Sequence, residues 1–207
     1  MRNTLDLEHM TIQEYKALLK KQNLLPGRRI LWKDIDNNFD SIENRGIRTA
    51  AQLKKSLATP AKIEAFAHES EIPEEYLVVL KREIGSLEQK PVPLSEFPDM
   101  DPYLLKRLGD ASIKTSKEYW ETKKDVVDEL FCLCDLVRIN GVGAIAAKAF
   151  YEAGYRSVFE VATADASIML EKVSAVNEAQ HYYKGKLGKK DLQFCIDFAS
   201  LVNKYDI

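Results

Sequence analysis

The residues of this chain best suited to chemistry lie in one short stretch, Arg138-Ile139-Asn140-Gly141-Val142-Gly143-Ala144, followed one turn later by Lys148. Gly141 and Gly143 permit a tight turn and leave main-chain N–H groups uncovered by side chains, while Val142 between them plugs the turn into a core. If a helix begins just after Gly143, its first free amides and the positive end of its dipole add to those of the turn. Together they form a seat for a phosphate or another anion. Ala144 and Ala147 are small enough for close helix approach, and Arg138 and Lys148 are the nearest cations in sequence. A second basic cluster, Lys184, Lys186, Lys189 and Lys190, falls in a glycine-broken loop.

Other chemistry finds little support. His9, His68 and His181 are scattered without metal-ligand spacing, and no serine elbow, phosphate-binding loop or carboxylate pair is present. Cys132 and Cys134 sit in the apolar run Glu129–Leu136, where unpaired cysteine behaves as a small buried hydrophobe. Three cysteines without a secretory segment point to a reduced, cytoplasmic setting. No stretch is apolar for long enough to span a bilayer. These features predict a non-enzymatic protein with no cofactor, no metal and no membrane partner.

Net charge tempers the anion reading. Thirty Lys and Arg oppose 32 Asp and Glu over 207 residues, so any basic surface must arise by spatial sorting. From Val126 to the end the balance is nine basic against eleven acidic residues.

The elements that would position the turn are announced by a repeat. Gly46-Ile47-Arg48-Thr49-Ala50-Ala51-Gln52, Ser112-Ile113-Lys114-Thr115-Ser116-Lys117-Glu118 and Gly154-Tyr155-Arg156-Ser157-Val158-Phe159-Glu160 share an order: apolar, basic, hydroxyl, then Gln or Glu three residues on. That last spacing is a capping box and marks a helix start. Ile42, Leu108 and Phe150 lie five residues before the apolar position, and Phe39, Leu105 and Ala147 lie eight before it. The unit is therefore helix, turn, apolar plug, capped helix. At the offset of the glycine turn, copy two reads Phe97-Pro98-Asp99-Met100-Asp101 and copy one Leu31-Trp32-Lys33-Asp34-Ile35. Neither has the glycines, so both are expected to pack helices, and copy two to repel anions.

Between the copies, Thr11–Glu14 caps a helix to about Gln22 that Pro26-Gly27 ends, after a ragged first ten residues. Thr59-Pro60 and Pro73-Glu74 start two more helices. Four prolines between residues 88 and 102 read as a strut between lobes. Residues 123–135, 165–173 and 191–204 read as helices, and 182–190 as a loop. Trp32 and Trp120 are expected in the core or at an interface. Alternating strand patterns are missing. The expectation is an all-α protein of tandem helix-hairpin-helix-like repeats in two lobes: an N-terminal helical extension (1–29), a lobe with copy one (30–90), and a lobe with copies two and three (91–207).

The Gly-Val-Gly turn with its following Ala and Lys resembles the helix-hairpin-helix motif of DNA polymerases, ligases and repair proteins. In that motif the turn amides grip a nucleic-acid backbone without reading bases. Over residues 30 to 205 the chain resembles an uncharacterised prokaryotic family, the domain of unknown function numbered 4332, with hairpin-like helical repeats. The resemblance implies an architecture and no assigned activity. The expected role is a sequence-independent contact with a DNA or RNA backbone through Gly141, Val142, Gly143, Ala144 and Lys148, aided by Arg138 and the four loop lysines. The alternative is a protein-interaction or self-assembly scaffold, in which the apolar face of the Thr11 helix or the first lobe meets a partner or a second copy.

Overall fold

The computed structural model describes residues 5–22, 24–122 and 127–205, and within them the chain is all-helical, with only two isolated β-bridges. It divides into two compact units, Asp6–Glu88 and a second from Gln89 onward.

The first unit holds α1 (Ile12–Lys21), a 3-10 helix over Pro26–Trp32, α2 (Ile35–Asn44), α3 (Ala50–Ser56), α4 (Pro60–Ser70) and α5 (Glu74–Gly85). Helix α1 is not an extension. Its Ile12, Tyr15 and Leu19 are fully buried, and the turn and extended Thr11 before it pair with the start of α3: Ile12 N–H donates to the Arg48 carbonyl and Ala50 N–H to that of Met10, both at 2.9 Å. Of the ten residues expected to be ragged, 1–4 lie outside the described residues; of the others, Leu7 and Met10 are buried and the Leu7 carbonyl accepts from Ala51 N–H. The apolar face of α1 is thus already covered within its own unit. Pro26 opens the 3-10 helix rather than merely ending α1, as suits a residue that lacks an N–H. Trp32 is 39% exposed instead of buried, with its indole N–H donating to the Leu19 carbonyl at 2.9 Å.

The second unit holds α6 (Pro102–Asp110), α7 (Ser116–Thr122), α8 (Glu129–Leu136), α9 (Ala144–Glu152), α10 (Val158–Ala162), α11 (Ala166–Gln180) and α12 (Lys189–Tyr205). The proline-rich stretch is part of this unit and no free strut: Leu94 and Phe97 are buried, and the stretch pairs with the start of α7. Leu94 N–H donates to the Lys114 carbonyl at 2.9 Å and Ser116 N–H to that of Val92 at 2.7 Å. Part of the predicted helix at 123–135 falls outside the described residues, and Asp128 caps α8 by accepting from Phe131 N–H. Helix α11 runs past Val173 to Gln180, and α12 begins at Lys189, inside the predicted loop.

The three sequence copies share their local geometry. Gly46, Ser112 and Gly154 all have left-handed backbone, with φ of 80°, 62° and 94°. In each copy the Gln or Glu carries out two tasks. Its main-chain N–H donates to the capping hydroxyl (Gln52 to Thr49, Glu118 to Thr115, Glu160 to Ser157), and its side chain accepts from the N–H of the preceding basic residue: Arg48 at 2.7 Å, Lys114 at 2.7 Å, Arg156 at 2.5 Å.

One buried side chain ties the second unit together. Asp135, at the end of α8, accepts on Oδ1 from Arg138 Nη1 at 2.6 Å and from the Trp120 indole N–H at 3.1 Å, and on Oδ2 from Val158 N–H at 2.7 Å. The Arg138 guanidinium also lies over the Trp120 ring, 4.4 Å from its centre. Removing the carboxylate takes a shared acceptor away from a buried cation and two further donors. Asp135→Ala is therefore expected to lower unfolding free energy by about 3–5 kcal/mol, measured by denaturant titration. A loss below ~1 kcal/mol would show that the three donors find other partners.

Candidate nucleic-acid interface

Helix α8 ends in two hydrogen-bonded turns, Arg138 N–H to the Asp135 carbonyl and Ile139 N–H to that of Leu136, both at 3.1 Å. Val142 N–H then donates to the Ile139 carbonyl at 3.0 Å and closes the bend. Gly141 has φ of +83°, a conformation that strains any residue with a Cβ. Val142 is buried between Ile139 and Ala144, both buried as well, while Gly141 and Gly143 are exposed. The corner is open on its glycine side and anchored on its valine side.

Gly143 is the N-cap of α9 and supplies no side-chain acceptor. Among the described residues, the N–H groups of Gly143, Ala144 and Ile145 have no hydrogen-bond partner. The start of α6, at the same offset in copy two, shows what such amides do when a carboxylate is at hand. There Asp101 stands where copy three has Gly143, and its oxygens accept from Tyr103 N–H at 3.0 Å and Leu104 N–H at 3.3 Å. At α6 a tethered carboxylate takes the amides of Tyr103 and Leu104; of their counterparts in copy three, Ile145 N–H has no partner among the described residues, and Ala144 adds an N–H that Pro102 lacks.

The cations expected beside the turn are arranged differently from the sequence reading. Lys148 is buried and bound to acid, with Nζ 2.5 Å from Glu129 Oε1 and 3.5 Å from Glu152 Oε1. Burial alone would lower its pKa, but the Glu129 hydrogen bond and the charges of Glu129 and Glu152 outweigh this and hold it above the ordinary lysine value. Tyr182 joins the group by donating its hydroxyl proton to Glu152 at 2.7 Å, and burial, this bond and the carboxylate charge push its pKa up to about 12. Arg138, 5% exposed, is held by Asp135 and Trp120. Neither side chain is presented to an external phosphate. Sequence spacing places both near the turn and offers Asp135 and Glu152 at i,i+3 and i,i+4, but carries no information about Glu129, nineteen residues from Lys148.

Lys184, Lys186, Lys189 and Lys190 are all exposed. Phe194 of α12 approaches the turn, its ring 3.9 Å from where a Cβ on Gly141 would stand. Lys190 lies one helical turn before Phe194, so it shares that face of α12. Lys189 acts on Asp165, the cap of α11, and its charge adds to the Ile168 and Ser167 amide hydrogen bonds that lower the Asp165 pKa. Asp191 accepts from Gly188 N–H at 2.8 Å, which leaves it bound at the start of α12. The sequence reading missed Asp135, which reads as one more acid in an apolar run, and the Glu129–Lys148–Glu152–Tyr182 group, which joins one i,i+4 pair on α9 to Glu129 and Tyr182 from elsewhere in the chain.

Residues 104–193 match the model of the family described as Domain of unknown function (DUF4332). The match is narrower than the resemblance over 30–205. It runs from within α6 to the first turn of α12, and so includes the glycine turn, the Asp135 cluster and the loop lysines. No curated protein and no solved structure matches the chain.

Because Lys148 is held by acids, Lys148→Met is expected to destabilise the protein by about 1.5–3 kcal/mol, the range for hydrogen bonds to charged groups. Its folded pKa is raised, so its contribution is complete below the ordinary lysine pKa and fades as pH climbs through the folded value. The stability gap between wild type and variant, followed by denaturant titration, should therefore be constant from pH 7 to 9 and shrink above about pH 10.5. A gap that widens there would reverse the assignment.

Proposed function

We propose that the second unit is a non-catalytic, sequence-independent binder of a nucleic-acid phosphate backbone, and that the seat is the turn Gly141–Ile145. The observation that carries this reading is the exchange of Asp101 for Gly143 at the N-caps of two helix starts at the same offset, accompanied by Asp99 for Gly141 and Pro102 for Ala144. It converts donors satisfied from within into donors that face outward. The tandem helix-hairpin-helix description belongs to the same proposal: copies one and two pack helices, and copy three binds. Charge assistance comes from Lys184, Lys186, Lys189 and Lys190 at the approach to α12, not from Lys148 or Arg138. A cytoplasmic setting agrees with the unpaired cysteines; burial and then Asp191 push the Cys195 thiol up to about 12, so it is no ready thiolate.

The scaffold reading draws on Phe159 and Ile168, 59% and 54% exposed, as apolar contacts for a protein partner. It does not draw on α1, whose apolar side is enclosed.

Gly143→Asp separates these readings. No neighbour lies within 4 Å of a Cβ at Gly143, and its φ of −89° suits an L-residue. The new carboxylate is expected to cap α9 as Asp101 caps α6, leaving stability equal or higher by a few tenths of a kcal/mol, on the order seen between Gly and Asp caps. Binding to labelled duplex DNA at low salt should be lost. Replacing the four lysines by Gln should reduce the slope of log K against log salt by up to about 3.6, at ~0.9 per phosphate contact. Absence of duplex binding by the wild type at low salt, or binding untouched by Gly143→Asp, would refute the seat.

A further inference from the structure

The outer face of α6 carries a different set of groups. Tyr103, Lys106, Arg107 and Asp110 fall on one side of this helix, opposite Leu108, which is buried. Tyr103 is 68% exposed, among the most exposed large side chains of the described residues, and the Arg107 guanidinium lies 6.0 Å from its ring centre. Lys106 and Arg107 are exposed, and among the described residues neither forms an ion pair; the same holds for Lys114, exposed just beyond the turn that ends α6. The nearby acids are largely committed. Asp101 is bound to the first amides of α6, and Glu118 accepts from the Lys114 and Thr115 N–H groups, which lower its pKa. Asp110 alone remains on the face. In a chain with a net charge of −2, residues 103–117 carry four basic side chains against one acid.

We infer that this face of α6 binds single-stranded nucleic acid, with a base stacked on Tyr103 and flanking phosphates held by Lys106, Arg107 and Lys114. An exposed aromatic ring accepts any unpaired base through its π-face, and a cation beside it strengthens the stack and neutralises the backbone. A duplex keeps its bases stacked internally and offers nothing to Tyr103. An acidic polypeptide would use the cations and leave the ring idle. The inference rests on the nucleic-acid reading for its class of partner but uses none of the residues of the glycine turn.

The test is equilibrium binding of the full chain to labelled oligo(dT), a matched duplex and polyglutamate at low salt. Tyr103→Ala should weaken oligo(dT) binding about fivefold or more and leave duplex binding unchanged, while Tyr103→Phe keeps wild-type affinity, since the ring and not the hydroxyl stacks. Lys106→Glu with Arg107→Glu should lower the oligo(dT) salt slope by about 1.4, at ~0.7 per phosphate on single strands. All four side chains are exposed, so the variants should keep the wild-type unfolding midpoint. No oligo(dT) binding, oligo(dT) binding unaffected by Tyr103→Ala, or polyglutamate binding of equal strength would overturn the inference. Loss of duplex binding in Gly143→Asp bears on the glycine turn only, so the two proposals fail by different results.

Discussion

A buried carboxylate organises the second unit. Asp135 offers two oxygens to three donors from three separate parts of the chain: the indole of α7, the guanidinium that follows α8, and the first amide of α10. Taking a charge out of water is tolerable only with such complete pairing. The pairing in turn fixes where each donor can be. Since Arg138 directly precedes the glycine turn and Val158 opens the helix that follows α9, the carboxylate holds both ends of the segment that carries the exposed amides.

Comparison of the three copies shows why the acid is needed there. In copies one and two, an extended strip pairs with the capped helix start, and a main-chain carbonyl (Met10 or Val92) accepts from the first amide of α3 or α7. In copy three the chain ahead of the turn is helical, so its carbonyls are engaged within α8. Asp135 lies at the same offset from its turn as Pro93 from its own, and the carboxylate replaces the missing carbonyl. One requirement, an acceptor for the first amide of the capped helix, is met by backbone in two copies and by a side chain in the third.

Much of this was legible in the sequence where the rule is local. Capping boxes, Pro60 at a helix start and the glycine bend depend on residues within a turn of each other, and Thr11, Thr49 and Thr59 act as the spacing predicts, while Ser157 caps α10 with the Glu160 side chain bound to Arg156 N–H. The placement of charge was not legible. Lys148 meets Glu129 across 19 positions and Glu152 along its own helix, and whether a lysine faces an acid or solvent is decided by how α8 and α9 pack. Burial of α1 was hidden for the same reason: an amphipathic face announces that something must cover it, and only tertiary structure says what. Trp32 is outside the core, where a large aromatic ring with one satisfied N–H can remain half in water at modest cost.

The tethered acid at the head of α6 has a consequence for stoichiometry. A carboxylate fixed two and three residues from its donors competes at an effective concentration far above that of a dissolved oxyanion, so a free phosphate would have to evict it before settling there. At α9 nothing needs evicting. The two helix starts thus differ in vacancy and also in donor number, since Pro102 has no N–H where Ala144 has one, and on the proposed reading a titrated oxyanion would occupy α9 and not α6.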